Sequence, residues 1–248
     1  MIQLNHIHKY FFKDAANEVH ALNDLSFEVP AGQFLVLLGS NGSGKSTLLN
    51  CIGGSVLPNE GQVLIDQTDV SGLREDQRSK WISRVFQNPL TGTASDLTVI
   101  ENFRLASLRT RSKSFRIGID SKFRSLIKEQ ITQLNLGLEN KLDQPIGGLS
   151  GGQRQSLTLL MAVMDTSKIL LLDEPASALD PRTAELIMQL AEKLIKQYQL
   201  TAILVTHNLK EAVTYGDRVI IMREGKISHD LNKTGSPQLS MTQLLDLF

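Results

Sequence analysis

The sequence has few of the features that assign a protein to a class at a glance. Its single cysteine, Cys51, has no partner for a disulfide, which suits a reducing compartment. Lys and Arg together number 26, as do Asp and Glu, so no overall charge draws the chain to nucleic acid or to an anionic surface. The longest apolar runs are far too short to span a membrane, and the first residues lack a signal-peptide pattern. We therefore expect no nucleic-acid partner, and any membrane part must belong to another chain.

What the sequence does contain is a glycine-rich loop, Gly39-Ser40-Asn41-Gly42-Ser43-Gly44-Lys45-Ser46, between an apolar run at 34–38 and a helical pattern that starts at Thr47. Strand, loop and helix in this order make a phosphate-binding P-loop. Glycines let backbone N–H groups turn inward around a polyphosphate, and the helix N-terminus adds free N–H groups. Lys45 supplies a cation for the terminal phosphates, and the Ser46 hydroxyl is placed to ligate Mg²⁺. The flanking strand and helix argue against a plain Gly/Ser surface loop.

The 248 residues, of which 41% are hydrophobic, suffice for one substantial core. Residues 1–87 are interpreted as an antiparallel β-region around the phosphate loop, because Leu25, Phe27 and Val29 alternate with polar residues. From 88 to 165 the pattern is helical, and after 165 buried strands alternate with a helix, which is typical of a parallel sheet. The predicted elements are strands at 2–7, 25–29, 62–65, 168–173 and 201–206, a helix at 182–198, and a hairpin at 218–222 and 226–227 that turns at 224–225.

The helical region includes a basic stretch from Arg104 to Lys128, with eight basic residues and one acid, Asp120. A run of this kind is usually a solvated face of the protein. A face toward phospholipid headgroups or toward an acidic partner loop is the sharper alternative. The sequence leaves both interpretations open.

Two carboxylates, Asp173 and Glu174, follow the apolar residues 169–172 where a buried strand ends. Open α/β sheets bind ligands at the carboxyl ends of their strands, which is also where a P-loop lies. Asp173 is then placed to hold Mg²⁺, and Glu174 to accept a proton from an attacking water. The alternative is a solvated strand end, and the P-loop in the same sheet favours the functional interpretation.

A further motif, Leu149-Ser150-Gly151-Gly152-Gln153, precedes an apolar helical pattern. Ser150 is the predicted N-cap, and the two glycines leave the first N–H groups open, so this helix start is a second candidate anion site. One triphosphate cannot easily fill both sites of a single chain. Either the second site binds another anion, or it faces a nucleotide held by another copy, or it is a capped helix start without a ligand.

The P-loop, the Leu-Ser-Gly-Gly-Gln signature and the Asp-Glu strand, in this order, resemble the nucleotide-binding domain of the ATP-binding cassette (ABC) family. The resemblance covers essentially the whole chain. It implies an α/β fold in a single domain, with a P-loop NTPase (RecA-like) core and an N-terminal antiparallel β subdomain at 1–87 and 166–248, and an inserted α-helical subdomain at 88–165. It also implies ATP hydrolysis by a head-to-tail dimer, formed with a second copy or a homologous ATPase. In such a dimer Ser150, Gly151, Gly152 and Gln153 face the ATP of the other copy.

The resemblance also implies roles for individual residues. Catalysis falls to Glu174, to His207 at the γ-phosphate, to Gln87 and to Lys45. Mg²⁺ falls to Ser46, Gln87 and Asp173, and Asp180 belongs to a loop that crosses the dimer interface. An aromatic residue near the start stacks on adenine, and here either Phe11 or Tyr10 could do so. The remaining nucleotide contacts fall to Gly39, Ser40, Asn41, Gly42, Ser43, Gly44, Lys45, Ser46 and Thr47.

Within the family, the chain is similar to ATPase subunits of bacterial importers for tryptophan- or tyrosine-like substrates. The similar stretches are 94–102, 149–161, 206–208 and 244–248, whereas Pro175-Ala176-Ser177 departs from the usual His-Thr-Ala of that group. The resemblance implies integral membrane permease subunits and an extracytoplasmic solute-binding protein as partners. It places the chain in the cytoplasm, on the inner face of the cell membrane.

Other classes of function fit less of the sequence. A soluble cassette ATPase that acts as an assembly scaffold would carry the same motifs and is the main alternative. A nucleotide-binding regulator without turnover is disfavoured because Glu174 and His207 are both present. A P-loop kinase would have no use for the segment 149–153.

Overall fold

The computed structural model describes residues 1–13, 16–109, 118–233 and 240–247. These residues form two compact units. The first combines 1–82, 168–173 and 199–248, and the second combines 83–167 and 174–198, each without the residues left undescribed.

Strands dominate the first unit and helices the second. The strands are β1 (Ile2–Phe11), β2 (Val19–Val29), β3 (Phe34–Leu38), β4 (Glu60–Ile65), β5 (Thr68–Asp69), β6 (Ile82–Val85), β7 (Ile169–Asp173), β8 (Thr201–Thr206), β9 (Arg218–Arg223) and β10 (Lys226–Asn232). The helices are α1 (Lys45–Gly53), α2 (Glu75–Arg78), α3 (Val99–Ser107), α4 (Ser121–Thr132), α5 (Gly151–Val163), α6 (Pro181–Tyr198), α7 (Leu209–Thr214) and α8 (Met241–Leu247).

The first unit contains the predicted antiparallel sheet, with strand order β2-β1-β4-β5. In β1, Leu4 pairs with Phe27 on one side and with Val63 on the other. Leu25 and Val29 are buried while Ser26 and Glu28 are exposed, which confirms the predicted alternation. β1 and β2 are longer than predicted, because their outer halves pair with each other although their sequences do not alternate.

The second sheet of this unit runs β10-β9-β3-β8-β7, with parallel pairing from β9 to β7 and an antiparallel β9–β10 hairpin at its edge. β3 and β8 are buried along their whole length, as expected for apolar strands covered on both faces. Helices α1 and α7 pack against these strands. The sixth strand, β6, is divided between the units. Its first residue, Ile82, belongs to the first unit, and its other residues belong to the second.

The helix that follows the phosphate loop, α1, is fixed at its far end by a buried arginine. Arg78 is fully buried and donates to the carbonyl oxygens of Cys51 (2.6 Å) and Ile52 (2.8 Å), in the last turn of α1. A cation at this end suits the negative end of the helix dipole. Burial lowers the pKa of the Arg78 guanidinium below its ordinary value and raises the pKa of the Cys51 thiol to about 11.

In the second unit, α5 packs along α6 and also contacts α3 and α4. Helix α3 begins with a capping box, in which the Thr98 hydroxyl accepts from the Glu101 N–H and the Glu101 carboxylate accepts from the Thr98 N–H. The division of the chain at 88 and 165 stays a prediction. In the structure the segment 174–198 groups with the helical unit, because α6 packs along α5.

Described members of the basic stretch make contacts inside the second unit. Arg109 binds Asp165 at 2.5 Å, and Arg124 makes a two-pronged pair with Asp143 at 2.7 and 2.8 Å. Arg104 lies over the ring of Phe123. These contacts account for part of the stretch, and residues 110–117 lie outside the described residues.

Candidate nucleotide-binding and catalytic site

The phosphate loop runs from the buried end of β3 to the start of α1 and is pressed closely against neighbouring backbone. Gly42 and Gly44 have φ values of 81° and 100°, a region that favours glycine. A Cβ on Gly39 would lie 2.6 Å from the carbonyl oxygen of Met222, and one on Gly44 would lie 2.6 Å from that of Ala21. The loop therefore depends on glycine at both positions for its shape.

The turn between β9 and β10 bridges this loop to the antiparallel sheet. The Gly225 N–H donates to the Ser43 carbonyl at 3.0 Å, and the Asn23 N–H donates to the Gly225 carbonyl at 2.8 Å. A hairpin that the sequence places almost two hundred residues away thus supports the loop from the side.

Lys45, the first residue of α1, lies inside the loop. It is 5% exposed, and its ammonium donates to the carbonyl oxygens of Gly39 and Ser40, at 2.8 Å each. A cation held within a ring of backbone groups is suited to bind the terminal phosphates of a nucleotide.

The carboxyl ends of three parallel strands meet at the same edge of the sheet. Leu38 of β3 pairs with Thr206 of β8, and Asp173 of β7 pairs with Val205. The first residue of the loop and His207 directly follow strands that end at this edge, and Asp173 is the last residue of β7. This is the expected place for a ligand site in an open α/β sheet.

This edge also offers oxygen donors for a metal ion. The Ser46 side chain is exposed and Asp173 is half-buried. A hydroxyl and a carboxylate are the hard oxygen ligands that Mg²⁺ prefers, together with substrate phosphates and water. The residues present therefore fit a magnesium ion bound with a nucleotide.

His207 is exposed, and its backbone is held by its neighbours. The Thr206 hydroxyl donates to the Glu211 carboxylate at 2.6 Å and accepts from the Asn208 N–H at 3.0 Å. The Asn208 side chain caps α7 by accepting from the Lys210 N–H. The strand end and the helix start thus fix the turn that bears the imidazole.

In the second unit, Glu174 has an unusual backbone conformation. Its φ of 45° lies in the left-handed region, which costs a residue with a Cβ about 1–2 kcal/mol. The Glu174 carbonyl accepts from both the N–H (3.2 Å) and the hydroxyl (3.1 Å) of Ser177. Strained residues held by their surroundings are common at active sites, which fits the role predicted for this carboxylate.

The signature segment begins α5, and Ser150 is its N-cap as predicted. The Ser150 hydroxyl accepts from the Gln153 N–H at 3.3 Å, and the Gln153 side chain accepts from the Ser150 N–H at 3.2 Å. A Cβ on Gly152 would lie 2.3 Å from the methyl group of Thr183, and one on Gly151 would lie 3.2 Å from Leu179. Because both residues are glycines, the start of α5 can lie close to Leu179, which precedes α6, and to Thr183 in α6.

Asp180 precedes α6 and is exposed. Its carboxylate accepts from the Thr183 N–H at 3.1 Å, and hydrogen bonds from the Thr183 side chain and backbone lower the pKa of the Asp180 carboxyl. The residue predicted to cross a dimer interface therefore also fixes the first turn of α6.

Sequence reasoning missed a residue of α5, Gln155, whose side chain is fully buried. Its amide donates to the carbonyl oxygens of Phe86 (3.1 Å) and Pro175 (2.8 Å), which neighbour Gln87 and Glu174 along the chain. Gln87 itself is exposed. In the sequence, the one sign of this role is that Gln155 is a glutamine within the stretch that forms the buried part of α5.

The two aromatic candidates for adenine have different neighbours. The Tyr10 ring stacks on His20 with centroids 4.1 Å apart, and the Lys13 ammonium lies 4.9 Å from its centre. Phe11 instead lies beside Lys9, on the other side of the strand. Lys9 pairs with Leu22, whose side chain lies against Gly44 of the phosphate loop. Phe11 itself pairs with Val19, beyond a register shift in the pairing of β1 with β2. The choice between Phe11 and Tyr10 therefore stays a prediction.

The predicted site residues divide between the two units. The first unit contains Phe11, Tyr10, the phosphate loop, Asp173 and His207. The second contains Gln87, the signature residues 150–153, Glu174 and Asp180.

Comparison with known proteins identifies the class to which this fold and site belong. The family model described as "ABC transporter" matches residues 22–177. A tyrosine transport ATP-binding protein of Clostridioides difficile is 36% identical over 248 residues, which is 100% of this chain and 98% of that protein. A methionine import ATP-binding protein of Yersinia pestis bv. Antiqua is 34% identical over 231 residues, 92% of this chain and 64% of that protein. A dimeric ATP-binding cassette in a post-hydrolysis state, bound to ADP and Pi, superposes with a TM-score of 0.81 at 30% identity, over 95% of this chain and 100% of that one.

The chain belongs to the ABC transporter family and is an ATPase. The α/β fold predicted from the sequence is confirmed, as is the resemblance to tyrosine-type ATPase subunits. None of the helices in the described residues is long and apolar enough to cross a membrane.

The two loop glycines allow a matched test of how the phosphate loop is held. Gly42→Ala introduces a Cβ into open space and should cost about 1–2 kcal/mol, the strain of a positive φ. Gly44→Ala adds a clash with the Ala21 carbonyl and should cost about 1–3 kcal/mol more. Urea unfolding of both variants measures the difference. Equal destabilisation would show that the close approach to β2 is unimportant.

Proposed function

We propose that this chain is the ATP-hydrolysing subunit of a bacterial import system for an amino acid or another small solute. One observation carries the proposal. The chain contains two sites suited to bind phosphate, the loop at 39–46 and the helix start at 150–153. Support for import comes from the relatives, whose names specify tyrosine transport and methionine import. These names favour amino acids as the class of solute. They do not identify one particular amino acid.

We assign binding and turnover of ATP to the predicted site residues of the two units. Backbone N–H groups of the loop and the Lys45 ammonium bind the β- and γ-phosphates, and Phe11 stacks on adenine. Ser46, Gln87 and Asp173 would hold Mg²⁺, which would supply neutralisation of the charge on the phosphates. Glu174 accepts a proton as a water oxygen bonds to the γ-phosphorus and the bond to the β,γ-bridging oxygen breaks. His207 contacts the γ-phosphate and donates to its oxygens.

The second site is used by a partner molecule in this proposal. Ser150, Gly151, Gly152 and Gln153 of one copy bind the γ-phosphate of ATP on the other, in a head-to-tail homodimer or with a homologous ATPase. In the structure the Ser150 and Gln153 side chains bond to each other's backbone, so they are held at the helix start. Asp180 lies at the same interface. Catalysis then requires the pair, because positioning and charge stabilisation dominate phosphoryl transfer.

The proposed membrane partner needs a surface near Gln87. The second unit has a groove of about 430 Å³ whose lining includes Phe86, Thr93, Leu105, Ala106 and Met161. Leu105 is 53% exposed, although it is a large apolar side chain. We assign this groove to a cytoplasmic segment of the permease, since Phe86 directly precedes Gln87. The subunit then lies on the inner face of the membrane, in a system that also uses an extracytoplasmic solute-binding protein.

The catalytic assignment is tested by separating binding from turnover. Glu174→Gln should retain MgATP affinity and lower kcat by about 10²–10⁴, because it removes the general base. Lys45→Ala should weaken MgATP binding itself, because it removes the cation of the phosphate loop. Steady-state ATPase assays and equilibrium titrations with MgATP measure the two effects. A wild-type rate for Glu174→Gln, or undiminished affinity for Lys45→Ala, would contradict the respective role.

The transport assignment is tested at the groove. Leu105→Arg should abolish co-purification of the permease from membranes, because it replaces an exposed apolar side chain of a lining that already contains Arg84 and Arg109 with a further positive charge. Leu186→Arg is the matched control, since Leu186 on α6 is equally 53% exposed and lies outside the groove lining. Thermal midpoints check that both variants fold. If wild-type chain is recovered stably with soluble proteins only, the transport proposal is wrong and an assembly scaffold is favoured.

A further inference from the structure

The side chain of Gln155 joins two stretches of irregular backbone within the second unit. It is fully buried on α5, and its amide nitrogen donates to the carbonyl oxygens of Phe86 and Pro175. Both partners are acceptors only, so the orientation of the amide is fixed: the NH₂ group must face them. A glutamine supplies two N–H donors from one nitrogen, which is what two convergent carbonyls require.

The two accepting carbonyls lie next to the residues proposed for catalysis. The Phe86 carbonyl belongs to the peptide bond that leads to Gln87, and Pro175 directly follows Glu174. Both segments lie outside the helices and strands. One buried side chain therefore joins the backbone next to Gln87 to the backbone next to Glu174.

The same helix begins with the signature segment. Gly151 lies against Leu179, Gly152 lies against Thr183, and Gln155 bonds to Pro175. The first part of α5 thus contacts the stretch that carries Glu174 and Asp180 at three successive places. A displacement of α5 on binding a partner's phosphate would be passed to Glu174 through Gln155.

We infer that Gln155 is a positioning residue for ATP hydrolysis, which holds Gln87 and Glu174 in register with each other and with the signature helix. The inference rests on the proposed function of those two residues. Gln155 touches neither substrate nor metal in this account. Its effect is on the geometry of the reacting state, so it belongs in kcat rather than in nucleotide affinity.

The first test is Gln155→Met, which keeps the length of the side chain and removes both donors. We expect kcat to fall by about 10- to 100-fold, the range for a misplaced catalytic group. The KM for MgATP should change by less than about twofold, because the phosphate loop is untouched. Ser156→Ala is the control, since Ser156 is also buried on α5 and its hydroxyl donates to the Gly152 carbonyl within that helix.

The second test is the pH profile of Gln155→Glu, which a merely structural role would not produce. An ionised carboxylate would face two carbonyl oxygens, whereas a protonated one can donate to one of them. Burial of a glutamate raises its pKa, to about 8–9 in fully buried cases. The ratio of variant to wild-type kcat should therefore rise as the pH is lowered through that range. The corresponding ratio for Gln155→Met should stay flat.

The outcomes separate this inference from the proposed function. A wild-type kcat for Gln155→Met, alone or with a lowered thermal midpoint, would overturn the inference while leaving a low-activity Glu174→Gln to support the catalytic site. A low kcat for Gln155→Glu that does not recover at lower pH would also overturn it, and this variant serves if Gln155→Met does not fold. If Glu174→Gln is fully active, the proposed function fails first.

Discussion

The phosphate loop holds its form because backbone atoms occupy the places where side chains would otherwise stand. Gly39 meets the carbonyl of Met222 and Gly44 meets that of Ala21, while Gly225 binds the loop through Ser43. Two segments that are distant in sequence, β2 and the β9–β10 hairpin, therefore converge on one loop. This convergence keeps Lys45 buried among carbonyls, where a phosphate can meet it.

The segments of the second unit are held in a different way. The segment from Glu174 to Asp180 is irregular and is held by α5 and by its own turn. The helix that begins with the signature motif therefore also supports the proposed general base. In a head-to-tail pair, each molecule would present the signature to its partner's nucleotide while keeping its own carboxylate on the same support. Cooperation between the two sites of the pair is a natural consequence of that arrangement.

Much of the first unit could be predicted from local sequence. The apolar runs of β3 and β8 and the glycine loop are continuous in sequence, and their patterns are unambiguous. Gln155 and Arg78 could not be found, because a buried polar residue is recognised by distant carbonyl partners that only the fold brings near. The stacking of His20 on the Tyr10 ring likewise needed the pairing of β1 with β2. Local sequence predicts elements and motifs, and long-range hydrogen bonds require the structure.

In the proposed mechanism, ATP hydrolysis requires two molecules, each of which supplies part of the catalytic pocket. Specific ATPase activity measured over a wide range of protein concentration tests this directly. We predict that activity per chain falls toward zero on dilution, at the same concentrations where light scattering shows loss of the ATP-bound pair. Constant activity per chain down to concentrations where only single molecules are present would contradict the account.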